Sequence, residues 1–301
     1  MPTEQEILKV IRKITPGSKK YLFDDAAIIE KNLIATTDTL VENTHFILKT
    51  YTPEEIGWKA MAVNLSDIAA MGGKPLYALV SLSLPKNMKL EWIERFYKGL
   101  IICAKKYKTQ VIGGNLAKSR EINITITVIG KTVVKTPRWG VSTRSNAKPG
   151  DLVFATGTFG DTVIQNYKTK IFPQINLGQK IVMLSKRVAL MDSSDGLADC
   201  LIQISDQSNV KIIIDKDKIP LSHNTKKAAN TLKKDPLNLA LYGGEDYQLV
   251  GTASEIDCKK LIKLKEIKLI GIVIKGKGAF LKQDNNKLVK LDLNKLFKHF
   301  T

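Results

Sequence analysis

Asn64-Leu65-Ser66-Asp67-Ile68-Ala69-Ala70-Met71-Gly72-Gly73 places three hydrogen-bonding side chains inside what its flanks define as a helix. Upstream, Thr52 stands as an N-cap, Pro53 at the first helical position, and Glu54 and Glu55 in the first turn. The apolar residues Trp58, Met61, Val63 and Ile68 carry the helix to Gly72-Gly73, with Pro75 just beyond. Asn64 and Asp67, three residues apart, share one face, and Ser66 sits beside them. Such residues are poor helix-interior choices, because their side chains compete with the backbone for hydrogen bonds. Three of them among Ala, Val, Leu and Ile point to a polar task at the helix end, with Asp67 as the site residue. The competing reading is a solvated helix face.

Working outward, the 301 residues suffice for two domains of ordinary size. A composition of 44% hydrophobic and 25% charged residues is that of a soluble globular protein. The stretch Met1 to Ile14 holds no long apolar run, and no window approaches a membrane span. Cys103, Cys200 and Cys258 are widely spaced and form no CxxC, which fits a reducing cytoplasm. The net charge of +18 invites a nucleic-acid reading. However, the cations are mostly Lys, spread along the chain as in Lys105-Lys106 and Lys226-Lys227, without the Arg clusters and interleaved aromatics of a nucleic-acid surface. The sequence therefore predicts neither a nucleic-acid nor a membrane partner, only a field that favours anionic metabolites.

Strands and helices alternate without repeats. Ala26 to Glu30 and Leu33 to Thr37 read as a hairpin turning at Lys31-Asn32. Leu76 to Leu84 is an alternating strand, Leu90 to Tyr107 an amphipathic helix, and Gln110 to Ile112 a short strand running into Gly113-Gly114. Glu121 to Gly130 alternates cleanly. The polar, turn-rich segment Arg144 to Asp151 marks the domain boundary, giving domains 1–147 and 148–301. The second half reads as strands Leu152 to Ala155, Arg187 to Met191, Val210 to Ile214 and Leu269 to Ile274, with a helix from Leu197. The fold class is α+β, built from two α/β domains.

The acidic residues are ordered where the basic ones are not. Asp24-Asp25 precedes the first strand, and Thr36-Thr37-Asp38-Thr39 ends the second. Asp67 closes the polar helix face, Asp192-Ser193-Ser194-Asp195-Gly196 joins a strand to a helix, and Glu245-Asp246 follows Gly243-Gly244. Each has a structural reading as an N-cap, turn former or first-turn acid. Together, at element ends in a basic protein, they point to convergent carboxylates that need cations. Hard oxygen ligands select Mg²⁺, and Cys and His are too scattered for zinc. Several magnesium ions usually neutralise a polyphosphate. No Walker A loop is present: Gly271 to Gly278 has Gly where Ser or Thr should hold the metal, and its interior reads as a strand and turn.

Taken together, Asp24-Asp25-Ala26-Ala27, Thr37 to Glu42 with His45-Phe46, Asn64 to Met71, Gly113-Gly114, Arg144 to Asp151, Ser194 to Leu197 and Gly243 to Tyr247 resemble the thiamine-monophosphate kinase family. That family belongs to the superfamily of aminoimidazole ribonucleotide synthetase and selenophosphate synthetase. The resemblance implies two domains of the aminoimidazole ribonucleotide synthetase type, with N-terminal sheets pairing across a homodimer. It also implies Mg²⁺-dependent, direct in-line transfer of the γ-phosphoryl group of ATP to thiamine monophosphate. By position, Asp25, Thr36, Thr37, Asp38, Asp67, Asp192 and Asp195 match magnesium ligands. Gly114, Arg144 and Ser194 match nucleotide contacts, while His45, Glu245 and Phe300 match contacts to the thiamine moiety. The acceptor is already an anionic phosphate oxygen, so no general base is expected. Two positions depart from the family pattern: Phe23 replaces the Gly before the paired Asp, and Asn115 stands where the family has Asp, which removes one charge from the metal and nucleotide set. The alternatives are another ATP-dependent enzyme of the superfamily, or a non-catalytic ATP-binding homologue.

Overall fold

The computed structural model describes residues 4–15, 24–29, 32–133, 143–231 and 233–295. The first half holds helix α1 (Glu4–Ile14), strands β1 (Ala27–Ile28) and β2 (Leu33–Val41), and helix α2 (Pro53–Ala70). Strand β3 (Gly73–Leu84), helix α3 (Leu90–Lys106) and strands β4 (Gln110–Lys118) and β5 (Asn123–Thr132) follow. The sheet order is β1-β2-β5-β3-β4. Strand β5 pairs antiparallel with β2 and β3, while β3 and β4 run parallel across the α3 crossover. Ile122, Ile124, Ile126 and Val128 alternate onto the helix-covered face and are fully buried.

Helix α2 starts as its sequence dictates. Thr52 accepts from the Glu55 N–H, and the Glu55 carboxylate accepts from the Thr52 N–H in return. Its surroundings are not those of a surface helix. From Ile56 to Gly73 every residue is buried except Asp67, so the helix is internal and apolar nearly all round. Small residues allow this. A Cβ on Gly57 would lie 2.0 Å from the Phe96 carbonyl oxygen of α3, and Met71 caps the end before Gly72 turns left-handed at φ +61°.

The second half carries β6 (Leu152–Thr156), α4 (Asp161–Ile164), α5 (Ile175–Leu184), β7 (Val188–Asp192), α6 (Leu197–Ser208) and β8 (Lys211–Asp215). Helices α7 (His223–Thr231) and α8 (Pro236–Tyr242), β9 (Leu249–Ala253), α9 (Glu255–Leu261), and β10 (Ile267–Ile274), β11 (Gly278–Lys282) and β12 (Leu288–Lys290) complete it. Its sheet runs β12-β11-β8-β10-β6-β9-β7. Strand β7 lies at the edge of that sheet and contacts α2. The carboxyl end of β7 thereby reaches the polar end of α2.

Several sequence expectations need correcting. Gly113-Gly114 do not end a short strand at Ile112; they lie within β4, which runs on to Lys118 with a register shift opposite Ala78 and Leu79. Strand β2 continues past Thr37 to Val41, and β3 starts at Gly73, not Leu76. The first strand is Ala27–Ile28, and Glu30 and Lys31 of its expected hairpin lie outside the described residues. So do Phe23 and Phe300.

Candidate active site

The middle and carboxyl half of β2 and the ends of α2 and β7 line one cavity of about 600 Å³. Asp25, Thr36, Thr37, Asp38, His45, Asp67, Arg144, Asp192, Ser194, Asp195 and Glu245 all line it. Residues from Asp25 to Glu245 therefore line one cavity.

At the acidic end, Asp25, Asp67 and Asp192 each bring one carboxylate oxygen within 4.8 Å of the other two. Alternation along β2 points Thr36 inward, where its hydroxyl donates to Asp67 Oδ2. Asp38 is fixed by its backbone: its N–H donates to Asn64 Oδ1 at 3.0 Å, and Asn64 Nδ2 donates to the Ala60 carbonyl at 3.1 Å. Asn64 is thus a buried bracket between α2 and β2. Burial pushes the carboxyls of Asp67 and Asp192 well above the ordinary range, with Asp38 repelling the first and Asp25 the second. Asp38 is pushed up to about 6 by burial, then by Asp195 and Asp25.

Arg144 answers this charge. Arg144 Nη2 lies 2.7 Å from Asp25 Oδ1, and its Nη1 donates to Gln203 Oε1. Its backbone N–H donates to Asp24 Oδ1 at 2.7 Å. Asp192 Oδ2 is buried and makes no close hydrogen bond, the Ser66 hydroxyl beside that carboxyl only partly offsetting its burial, which leaves acceptor capacity of the kind that a hard cation satisfies. The donor set is oxygen throughout, so the residues fit Mg²⁺.

The opposite end is built differently. His45 Nδ1 accepts from the Val41 N–H at 3.0 Å. Tyr51 donates its hydroxyl to the Tyr167 carbonyl, and Tyr167 donates its own to the Gly243 carbonyl at 3.1 Å. Glu245 comes from the loop before β9, in the left-handed region at φ 56°, with Tyr247 at 49°. That loop is laced to the Asp192–Gly196 turn: the Glu245 N–H donates to the Ser194 carbonyl at 2.5 Å, and that of Tyr247 to Ser193 at 3.1 Å. Gly196, at φ 105°, leaves no room for a side chain, since a Cβ would lie 2.8 Å from the Leu241 carbonyl oxygen. Two left-handed non-glycine residues cost on the order of 1–2 kcal/mol each and persist because these contacts hold them.

Three expected residues sit otherwise. Thr37 lines the cavity, but its hydroxyl donates to the Ile126 carbonyl and accepts from Thr127 on the other face of the sheet. Gly114 and Asn115 do not line the cavity. Gly114 shares a row with Val80, Ile126 and Asp38, three strand spacings, or about 14 Å, from Asp38. Asn115 is in register with Ser81, on the face of Thr39 and Thr125, away from α2. Glycine at 114 has a structural reason as well, since a Cβ would lie 1.7 Å from the Val80 carbonyl oxygen. Conversely, sequence reasoning missed Lys59, buried behind Glu245, and the Tyr51–Tyr167 wall. A lone Lys in a Lys-rich chain carries no local signal.

An acidic, oxygen-lined cluster thus faces an aromatic, carboxylate-bearing wall across one cavity. Residues 23–132 match the family described as AIR synthase related protein, N-terminal domain. Thiamine-monophosphate kinase of Aquifex aeolicus (strain VF5) is 37% identical over 301 residues, covering 93% of each chain. That of Bacillus subtilis (strain 168) is 37% identical over 277 residues, covering 81% of this chain and 82% of the relative. A solved structure described as "AaThiL complexed with AMPPCP and TMP" superposes with a TM-score of 0.86 at 35% identity, over 99% of this chain and 97% of the other. The chain belongs to the thiamine-monophosphate kinase family.

Proposed function

We propose that this chain phosphorylates thiamine monophosphate with ATP and Mg²⁺, yielding thiamine diphosphate and ADP. The observation that carries the reading is the convergence of Asp25, Asp67 and Asp192 in a cavity whose far wall holds His45, Tyr51 and Glu245. The similar structure described with AMPPCP and TMP supports both substrates.

An oxygen of the acceptor phosphate attacks the γ-phosphorus, and the bond to the β,γ-bridging oxygen breaks, ADP leaving with the electron pair. The attacking oxygen is already anionic, so no proton needs to be abstracted. Catalysis is then positioning and electrostatics. Bound Mg²⁺ would supply charge neutralisation on the polyphosphate, with Asp25, Asp67 and Asp192 as the residues to hold it and Asp38 and Asp195 beside them. Thr36 orients Asp67, and Asn64 fixes the backbone at Asp38. Arg144 offers a planar fork suited to phosphate, and Ser194 lines the same end. Thr37 lines the cavity too, with its hydroxyl engaged by the Ile126 carbonyl and Thr127.

We also propose a homodimer. Strand β4 is an edge with Ile112 and Leu116 exposed (51% and 72%); Leu116 shares its row with Leu82 and Ile124, while Tyr77 and Leu79 of the adjoining β3 are exposed on the sheet face turned away from α2. An exposed apolar edge is a template for pairing with another chain. Such pairing is the route by which Gly114 and Asn115 would reach a nucleotide or its metal. Domains 1–147 and 148–301 and a cytoplasmic location complete the reading; no helix among the described residues is long and apolar enough to cross a membrane.

The test is product analysis. Purified protein with ATP, Mg²⁺ and thiamine monophosphate should form thiamine diphosphate and ADP in equal amounts. ATP binding without turnover would instead identify a non-catalytic homologue.

A further inference from the structure

Lys59 is only 5% exposed, on the internal helix α2. Lysine is almost never buried to this extent unless it is paired. Its Nζ donates to Glu245 Oε1 at 2.9 Å, to Glu245 Oε2 at 2.8 Å, and to the His45 carbonyl at 2.9 Å. The same ammonium lies 5.5 Å from the Tyr51 ring centroid. His45, Tyr51 and Glu245 all face the cavity, whereas Lys59 does not. One buried cation thus ties together three wall residues from two distant segments, His45 and Tyr51 from the connection between β2 and α2 and Glu245 from the loop before β9.

We propose that Lys59 is a positioning residue that sets affinity for the cationic, heteroaromatic end of the acceptor by aligning Glu245, His45 and Tyr51, without touching substrate. This inference rests on the reading of the site given above. The physical argument is preorganisation. Glu245 sits in a left-handed backbone conformation, and its carboxyl is mostly buried. Burial favours the neutral acid, and the Lys59 ammonium opposes that by charge and by hydrogen bonding. Without Lys59 the carboxyl loses its aim and its counter-charge together, and the ring system of the substrate loses an anionic partner. The phosphate-binding end, built on Asp25, Asp67 and Asp192, has no direct contact with Lys59, so the effect should fall on one substrate only.

A double-mutant cycle between Lys59→Met and Glu245→Gln tests this, with KM for each substrate, kcat, and calorimetric binding of thiamine monophosphate as readouts. Each single variant should raise KM for thiamine monophosphate about tenfold and weaken its binding in parallel, leaving KM for ATP within about twofold. The double variant should be no worse than Glu245→Gln alone, and Lys59→Arg should recover most of the affinity. Multiplying effects in the double variant, or equal rises in KM for ATP, would overturn the inference. If Lys59→Met alone fails to fold, the double variant, which leaves no unpaired charge, is compared with Glu245→Gln: equal KM supports the coupling and a further tenfold rise refutes it. Wild-type protein that neither binds nor phosphorylates thiamine monophosphate would overturn the functional reading itself. Active wild type with uncoupled variants overturns only the role of Lys59.

Discussion

Arg144 and Asp25 form a buried ion pair, Nη2 to Oδ1 at 2.7 Å, with the Asp25 side chain 2% exposed. The guanidinium sits against the carboxylate cluster and answers the charge that a metal would otherwise neutralise. Breaking a buried pair by removing one partner leaves an uncompensated charge, which costs about 3–5 kcal/mol. Arg144→Gln should therefore lower metal-free stability by roughly that amount, and added Mg²⁺ should return part of it. Denaturant titrations with and without Mg²⁺ measure both quantities; an unchanged metal-free midpoint would mean that the pair carries no such load.

Asp38 and Asp67 repel each other and their acidic neighbours when metal is absent. Asp38→Asn or Asp67→Asn should abolish turnover while leaving the thermal midpoint equal or higher, because a repulsive charge is removed. A variant that unfolds, or one that keeps the wild-type rate, would assign these residues a purely structural role.

The sequence made α2 legible because its cap, its Pro and its terminal glycines are local signals. It could not reveal that the helix is internal, since that depends on α3, α5 and β7 closing around it. Asp67 and Asp192 were legible from their positions at the ends of α2 and β7, whereas Asp38 lies in the middle of β2 and joins them only through the pairing of that strand. The orientation of Thr37 was not legible: strand alternation puts Thr36 and Thr37 on opposite faces, and only the pairing with β5 says which faces inward. Gly113-Gly114 read as a break because glycine usually marks one, whereas here Gly114 admits the close approach of β3. Lys59 became visible only when the fold brought Glu245, 186 residues away, against it.

Asp246 gives a pH prediction apart from the carboxylate cluster. It accepts from the Gly160 N–H at 3.1 Å and from the Thr162 hydroxyl at 3.3 Å, and burial pushes it up to about 7. Its folded value lies above the ordinary 3.8, so the native state holds its proton longer than the unfolded chain does. The resulting stability is complete below about pH 4 and is lost as pH rises towards 7. Asp246→Asn keeps an acceptor for Gly160 but cannot ionise. It should flatten the stability–pH curve between about pH 4 and 7 and be the more stable protein at pH 8. Parallel wild-type and variant curves would refute this.

The exposed edge of β4 predicts an association state. Leu116→Lys should yield a folded monomer in sedimentation experiments where wild type sediments as two chains, and it should lose activity with dimerisation. Wild type that sediments as one chain, or an active monomeric variant, would remove the dimer from the reading.

Asn115 predicts a metal requirement that depends on that pairing. Asparagine offers a neutral oxygen, so Asn115→Asp should lower the Mg²⁺ needed for half-maximal rate, by about tenfold if the gain is near 1.4 kcal/mol. Superimposable Mg²⁺ titrations would show that position 115 does not govern metal binding.

The central claim is direct phosphoryl transfer between two bound substrates, and isotope tracing tests it most directly. With γ-labelled ATP, Mg²⁺ and thiamine monophosphate, the label should appear in the terminal phosphate of thiamine diphosphate, in an amount equal to the ADP formed. Label released only as inorganic phosphate, or no transfer at all, would contradict it.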